Sequence, residues 1–184
     1  MNAVLAVTLG YLVGSIPFAY LLSRRHGIDL RRAGSGNVGA SNVLRTTGVW
    51  AAVLAMMLDG VKGTLAVLMA QLLSGSLIAT VAAAFASILG HVYPVWLRFR
   101  GGKGVATAAG AFALLATEAM GIAAAVFLIA VILTRFISVG SIAGALTLVI
   151  VAGITDVPGV VAIGATASTL IIVYRHRGNL TRLV

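Results

Sequence analysis

The stretch "VATAAGAFALLA", Val105–Ala116, decides how many times this chain crosses a bilayer. Its twelve residues reach only about 18 Å as a helix, short of a hydrocarbon core of about 30 Å. Six longer apolar segments flank it: Ala3–Leu22, Val49–Leu73, Leu77–Leu97, Ala119–Thr134, Val139–Ile154 and Gly159–Tyr174. Fusing Val105–Ala116 with the segment after it gives six spans; keeping it separate gives seven.

Charge chooses between these. Ser23–Gly48 holds five arginines, Arg98–Lys103 three basic residues, Arg135 sits at a short turn, and Arg175, Arg177 and Arg182 end the chain. The other breaks, near Ser74–Ser76, Glu118 and Asp156–Pro158, hold no lysine or arginine. With seven segments, twelve of the thirteen basic residues fall on one side. The positive-inside rule makes that side cytoplasmic. The expectation is an all-α polytopic membrane protein with about seven transmembrane helices, the fourth short or half-inserted, N-terminus outside and C-terminus cytoplasmic. Five full spans with two partial ones give the same sidedness and stay open.

Composition supports that class. The 184 residues are 60% hydrophobic and 9% charged, with a mean hydropathy of +1.10. A soluble domain carries about 25% charged residues. Continuous Ala/Leu/Val/Ile runs also exclude a barrel, which needs alternation. Absence of cysteine excludes disulfides and thiolate chemistry. The four acids, Asp29, Asp59, Glu118 and Asp156, are scattered, which argues against a carboxylate metal site and predicts neither metal nor cofactor. The formal charge of +9 suits anionic headgroups or phosphorylated ligands, not nucleic acid in so apolar a chain. The first segment lacks a basic leader region and reads as a retained span. No internal repeat divides residues 1–184, so one membrane domain is expected.

Asp59 and Lys62 interrupt the second segment in "MMLDGVKG". Three apart, they share a helical face and partly neutralise each other, where each charge alone costs about 2.5–3.5 kcal/mol. Either the pair locks helix packing or Lys62 meets a ligand.

Three polar clusters fall on the basic side. "GSGNVGASNVLR", Gly34–Arg45, offers Gly34, Gly36 and Gly39 for a tight backbone, Ser35, Asn37, Ser41 and Asn42 as neutral donors, and the Arg45 fork for phosphate. A linker or packing loop is the plainer reading. "RFRGGKGVATAAG", Arg98–Gly110, surrounds Lys103 with Gly101, Gly102 and Gly104 just before an apolar helix, a recipe for an anion site. It is not the Walker spacing, and a basic loop with packing glycines is its alternative. The tail "YRHRGNLTRLV" brings Arg175, His176, Arg177, Asn179 and Arg182, which could serve only as an anchor. Ser138 and Ser141 stand near Arg135, where small hydroxyl residues also serve helix packing. His91 reads as a helix-end residue. All three clusters carry phosphate-type donors, and no H-x-x-x-x-D pair occurs.

Together, "SGNVGASNVLR", "FRGGKGVAT" and "RHRGNLTRL" resemble the three motifs of the bacterial acyl-phosphate:glycerol-3-phosphate acyltransferases, over essentially the whole chain. The resemblance implies a bacterial inner-membrane enzyme with its active site on the cytoplasmic face. It would move a fatty acyl group from acyl phosphate to the 1-hydroxyl of glycerol 3-phosphate. The products would be lysophosphatidic acid and phosphate, in the first step of phospholipid synthesis. It further implies catalytic roles for Ser35, Arg45, Lys103, His176 and Asn179. Substrate phosphates would be held by Gly36, Asn37, Gly39, Ser41, Asn42, Gly101, Gly102, Gly104 and Ser141. Ser41 replaces the usual threonine and Arg100 a common lysine. The sequence stops at Val184, before the family's usual glycine and glutamate.

Because acyl phosphate is a mixed anhydride, no covalent acyl-enzyme is needed. The cations would hold two phosphates together, with the proton passing to a substrate phosphate or to His176, the phosphate being preferred. Membrane lipids, and a soluble enzyme that makes acyl phosphate, are the other expected partners. The rival reading is a transporter or flippase of a phosphorylated anion or lipid, which predicts inverted repeats that this chain lacks.

Overall fold

The computed structural model describes residues 2–181, and among them no strand occurs. The helices are α1 (Asn2–Gly14), α2 (Phe18–Arg25), α3 (Ala40–Thr46), α4 (Val49–Ser74), α5 (Leu77–Val92), α6 (Val105–Leu115), α7 (Thr117–Thr134), α8 (Ile137–Ile154) and α9 (Gly159–Leu180). Six stretches are long and apolar enough to cross a membrane, and α6 is the shorter apolar helix beside them. Ala116, at φ −151° and ψ 63°, separates α6 from α7, so Val105–Ala116 does not fuse with its successor. The protein is a polytopic helical membrane protein with about seven apolar segments, the fourth of them short.

Two elements differ from the sequence-based expectation. The first segment is broken at Ser15–Pro17, between α1 and α2, because proline has no N–H to continue a helical ladder. The polar linker that follows contains a helix of its own, α3.

Helix packing relies on glycine. A Cβ on Gly14 of α1 would run into the Ser87 backbone of α5, and one on Gly90 into Tyr11. Gly63 and Gly110 make the same close approach between α4 and α6. In a solvent as apolar as the side chains, such contacts replace the hydrophobic effect as the source of association. Phe112, Ile88, Leu148 and Ile172 form the main core. Leu30, Val43, Ala52 and Leu97 form a second core beneath the α2–α3 linker. Outward-facing Leu72 and Leu133, 88% and 76% exposed, suit a surface wetted by lipid.

Asp59 and Lys62 are each only 2% exposed and pair at 2.9 Å. Lys62 Nζ also donates to the Ile16 carbonyl at 3.0 Å and sits 6.0 Å from the Phe18 ring centroid. The lysine thus serves a carbonyl at the break before Pro17. Packing is the reading this geometry favours, since a buried charge needs both a counterion and hydrogen bonds.

Candidate active site

The first cluster is organised by Asn42, whose side chain is fully buried. Its Oδ1 accepts from the Ser35 N–H at 2.9 Å. Its Nδ2 donates to the carbonyls of Leu30 and Ala33 at 3.2 and 3.0 Å. Gly34, at φ +61°, lies so close that a Cβ would strike that amide. The amide shapes the loop and lines neither of the large cavities. Ser35, Gly36 and Asn37 project from the loop into a cavity, joined by Ser41 and Arg45 on α3. Gly39 is extended at φ −147° as the residue before α3.

The second cluster departs from the expected cradle of free N–H groups. Gly101 and Gly102 donate theirs to the Val92 and His91 carbonyls, both at 3.1 Å. The end of α5, stopped by Pro94, leaves those carbonyls without helical partners. The carbonyls of Gly101 and Gly102 accept from Arg175 of α9 at 3.2 and 3.3 Å. Arg175 in turn lies 5.7 Å from the Tyr93 ring centroid. A Cβ on either glycine would overlap His91. These two glycines are a packed strut, and what the strut presents is Lys103. Its Nζ donates to Asn179 Oδ1 at 2.6 Å. Gly104, at φ +88°, then starts α6.

The third cluster is the last turns of α9, not a separate tail. His176 Nδ1 lies 2.8 Å from the Ile172 carbonyl. A carbonyl only accepts, so Nδ1 carries the hydrogen, and in the neutral ring Nε2 is left as the acceptor nitrogen. Arg177 stacks on Tyr174, 4.1 Å from its centroid. Arg182 lies outside the described residues.

Two cavities, of about 580 and 510 Å³, meet where these clusters converge. The smaller is cationic, with Arg31, Arg100, Arg175 and Arg177 around Ser35. The larger runs among Met120, Ala124, Phe127 and Leu148 of α7 and α8, with His176 and Ser141 in its wall. Ser141 Oγ donates to the Ile137 carbonyl at 2.8 Å, and Arg135 and Ser138 border the same space. Asn37, Ser41, Arg45, Lys103 and Asn179 line both cavities. A phosphate-sized anion at that junction has cations on one side and an oily chamber on the other.

Sequence reasoning missed two contributors. Arg31 lines the cationic cavity and is aimed by Asp29 at 2.8 Å and by the Tyr20 hydroxyl at 3.0 Å. The Arg31 guanidinium beside it holds the Asp29 carboxyl down at about 2. The D-x-R spacing was the available signal. The other is Asp59 with His91, which border the larger cavity from below; nothing in the sequence joins residues so far apart.

Fold and site define a class: a helical membrane protein with a cationic pocket continuous with an apolar chamber. A family model described as glycerol-3-phosphate acyltransferase matches residues 4–184, and the chain belongs to that family. It is 43% identical over 175 residues to the glycerol-3-phosphate acyltransferase of Symbiobacterium thermophilum, covering 95% of this chain and 87% of the relative. To that of Endomicrobium trichonymphae it is 40% identical over 182 residues, 98% of this chain and 92% of the relative. The fold matches the crystal structure of PlsY (YgiH), an integral membrane glycerol 3-phosphate acyltransferase, in its glycerol 3-phosphate form. The TM-score is 0.95 at 36% identity, over 100% of this chain and 92% of that one. The lysophosphatidic acid form of the same protein matches at 0.93 and 35%, with the same coverage.

Proposed function

We propose that this protein, acting as one unit over residues 1–184, transfers a fatty acyl group from acyl phosphate to the 1-hydroxyl of glycerol 3-phosphate. The products are lysophosphatidic acid and inorganic phosphate. The observation that carries the proposal is the junction of the two cavities at Asn37, Ser41, Arg45, Lys103 and Asn179. The cationic side suits the phosphates of donor and acceptor, and the apolar chamber suits the acyl chain. The relatives' names support the acceptor, and the crystallised glycerol 3-phosphate and lysophosphatidic acid forms of a relative support acceptor and product.

The chemistry asks little base strength of the protein. The acceptor oxygen attacks the acyl carbon, the carbon–oxygen bond to phosphate breaks, and phosphate leaves. Phosphate that leaves unprotonated is a trianion, the strongest base in the site, so the acceptor's proton ends on it. Arg45 and Lys103 offset the repulsion between two phosphates held side by side, and Asn179 fixes Lys103 for that task. His176 Nε2 accepts a hydrogen bond from the attacking hydroxyl and orients it. Ser35 binds phosphate on the cationic side with Gly36 and Ser41. Ser141 stands in the chamber wall beside the reacting carbonyl. No covalent acyl-enzyme forms, and no metal or cofactor takes part.

Sidedness belongs to the same proposal. Seven segments with twelve of thirteen basic residues on one side support a site on the cytoplasmic face, and we place that face in the bacterial inner membrane. The N-terminus is then outside and the C-terminus cytoplasmic. A soluble producer of acyl phosphate would deliver donor there.

Phosphate release from palmitoyl phosphate, with and without glycerol 3-phosphate, tests the reading in purified wild type, Lys103→Ala and Ser35→Ala. Release that needs the acceptor, forms lysophosphatidic acid and falls about 100-fold or more in both variants is expected. A folded wild type with no acceptor-dependent release refutes the transfer.

A further inference from the structure

Lys103 is held from α9 through Asn179, but its place also depends on the strut beneath it. That strut rests on His91. The His91 carbonyl accepts the Gly102 N–H at 3.1 Å, and its ring lies against Gly102 so closely that a methyl group at that α-carbon would overlap it. The opposite edge of the ring faces α4, where Nδ1 stands 3.5 Å from Asp59 Oδ1, an ion-pair distance without hydrogen-bond geometry. The same carboxylate oxygen meets Lys62 at 2.9 Å. Asp59 and His91 are both buried, and both border the chamber in which Lys103 stands.

An ion pair that did no more than neutralise itself would often be dispensable. In this one Lys62 also holds the Ile16 carbonyl, which accounts for the lysine but not for the side of Asp59 that faces His91. Apolar residues of similar volume replace buried pairs at little or no loss of stability. What they cannot supply is a negative charge facing the Nδ1 edge of an imidazole. We propose that Asp59 is a positioning residue for Lys103, acting through His91: the carboxylate fixes the ring, the ring fixes Gly102, and Gly102 sets where Lys103 stands. The catalytic meaning of this rests on the transfer reading above; the structural relay does not.

Lysine occurs at only two positions in the chain, Lys62 and Lys103, and Lys62 is sealed in the packing. Amine acylation followed by peptide-resolved mass spectrometry therefore reads Lys103 separately from the N-terminus, without turnover. The variants are Asp59→Asn, Asp59→Leu/Lys62→Met and His91→Gln, with exposed Glu118→Gln as control. In each folded relay variant the Lys103 labelling rate should change severalfold, while Glu118→Gln labels as wild type. In the transfer assay kcat should fall by up to about 100-fold, the usual effect of misplacing a group by about 1 Å, with the acceptor KM changed less. Asp59→Asn combined with His91→Gln should lose no more than the worse single variant, because both act on one chain of contacts. Asp59→Glu, which keeps the carboxylate, should recover part of the loss.

Wild-type labelling and kcat in folded Asp59→Leu/Lys62→Met overturn the proposal. If no Asp59 variant folds, His91→Gln, which leaves the ion pair intact, decides: wild-type labelling there overturns the relay, and altered labelling upholds its part from His91 to Lys103. If wild type labels normally yet transfers nothing, the function has failed, and the labelling comparison still judges the relay.

Discussion

Asn42→Asp is the most informative single substitution at this site, because it changes one atom and leaves the shape alone. The native amide accepts one hydrogen bond, from Ser35, and donates two, to Leu30 and Ala33. At about 1 kcal/mol net per bond, removing all three in Asn42→Ala costs about 3 kcal/mol. For a chain of this size that lowers the unfolding midpoint by roughly 6–12 °C. In Asn42→Asp the Ser35 contact survives, but a carboxylate oxygen faces two carbonyl oxygens in a buried setting. Asn42→Asp should therefore be no more stable than Asn42→Ala at neutral pH. It should gain on acidification, when the protonated acid donates to one carbonyl. Thermal unfolding in detergent at several pH values reads this directly, alongside the acceptor KM. An unfolding midpoint unchanged in both variants, with acceptor KM raised more than about tenfold, would refute the loop-shaping role of Asn42 and make it a ligand for substrate.

Three further outcomes are expected. Gly90→Ala, which drives a methyl group into the Tyr11 backbone of α1, should destabilise by about 1–3 kcal/mol, read by the same unfolding assay; an unchanged midpoint would contradict the packing. Ala124→Phe, which fills the chamber wall, should lower kcat/KM for palmitoyl phosphate about tenfold or more while sparing octanoyl phosphate, and equal losses for both chains would count against the chamber as the acyl site. Asp29, held down at about 2 by Arg31, contributes stability that is fully present above the ordinary carboxylate range and lost progressively as pH falls from there through about 2. A carboxyl NMR titration of Asp29 should find its midpoint there, and a midpoint near 4 would mean that Arg31 is not docked.

The helical membrane class was legible from the apolar runs alone, since nothing else accommodates them. Charge asymmetry also kept Val105–Ala116 apart from its neighbour, and Ala116 does end that helix run. Pro17 and Pro94 were visible in the sequence, but not that the Ile16 carbonyl beside one is served by a lysine from α4. The clusters at Gly34–Arg45, Arg98–Gly110 and the end of α9 announced a cationic site. Their inner roles were hidden, because a glycine reads alike whether its N–H faces an anion or the end of another helix. Gly101 and Gly102 are such a case. Asn42 is another: its partners are backbone atoms, which leave no pattern in side-chain identity. The contact of His91 with Asp59 depends on α4 and α5 lying side by side, which spacing along the chain does not encode.

The break at Ser15–Pro17 bears on how the protein is made. Alone in a bilayer, α4 carries an aspartate and a lysine that each oppose insertion by about 2.5–3.5 kcal/mol, and the first segment carries at its break a carbonyl held within the segment by the non-helical Phe18 N–H at 3.1 Å. Lys62 neutralises Asp59 within α4 and gives the Ile16 carbonyl a second donor across the two segments. The two segments therefore suit each other in lipid: the lysine that makes α4 costly to insert finds a carbonyl partner when the first segment lies beside it.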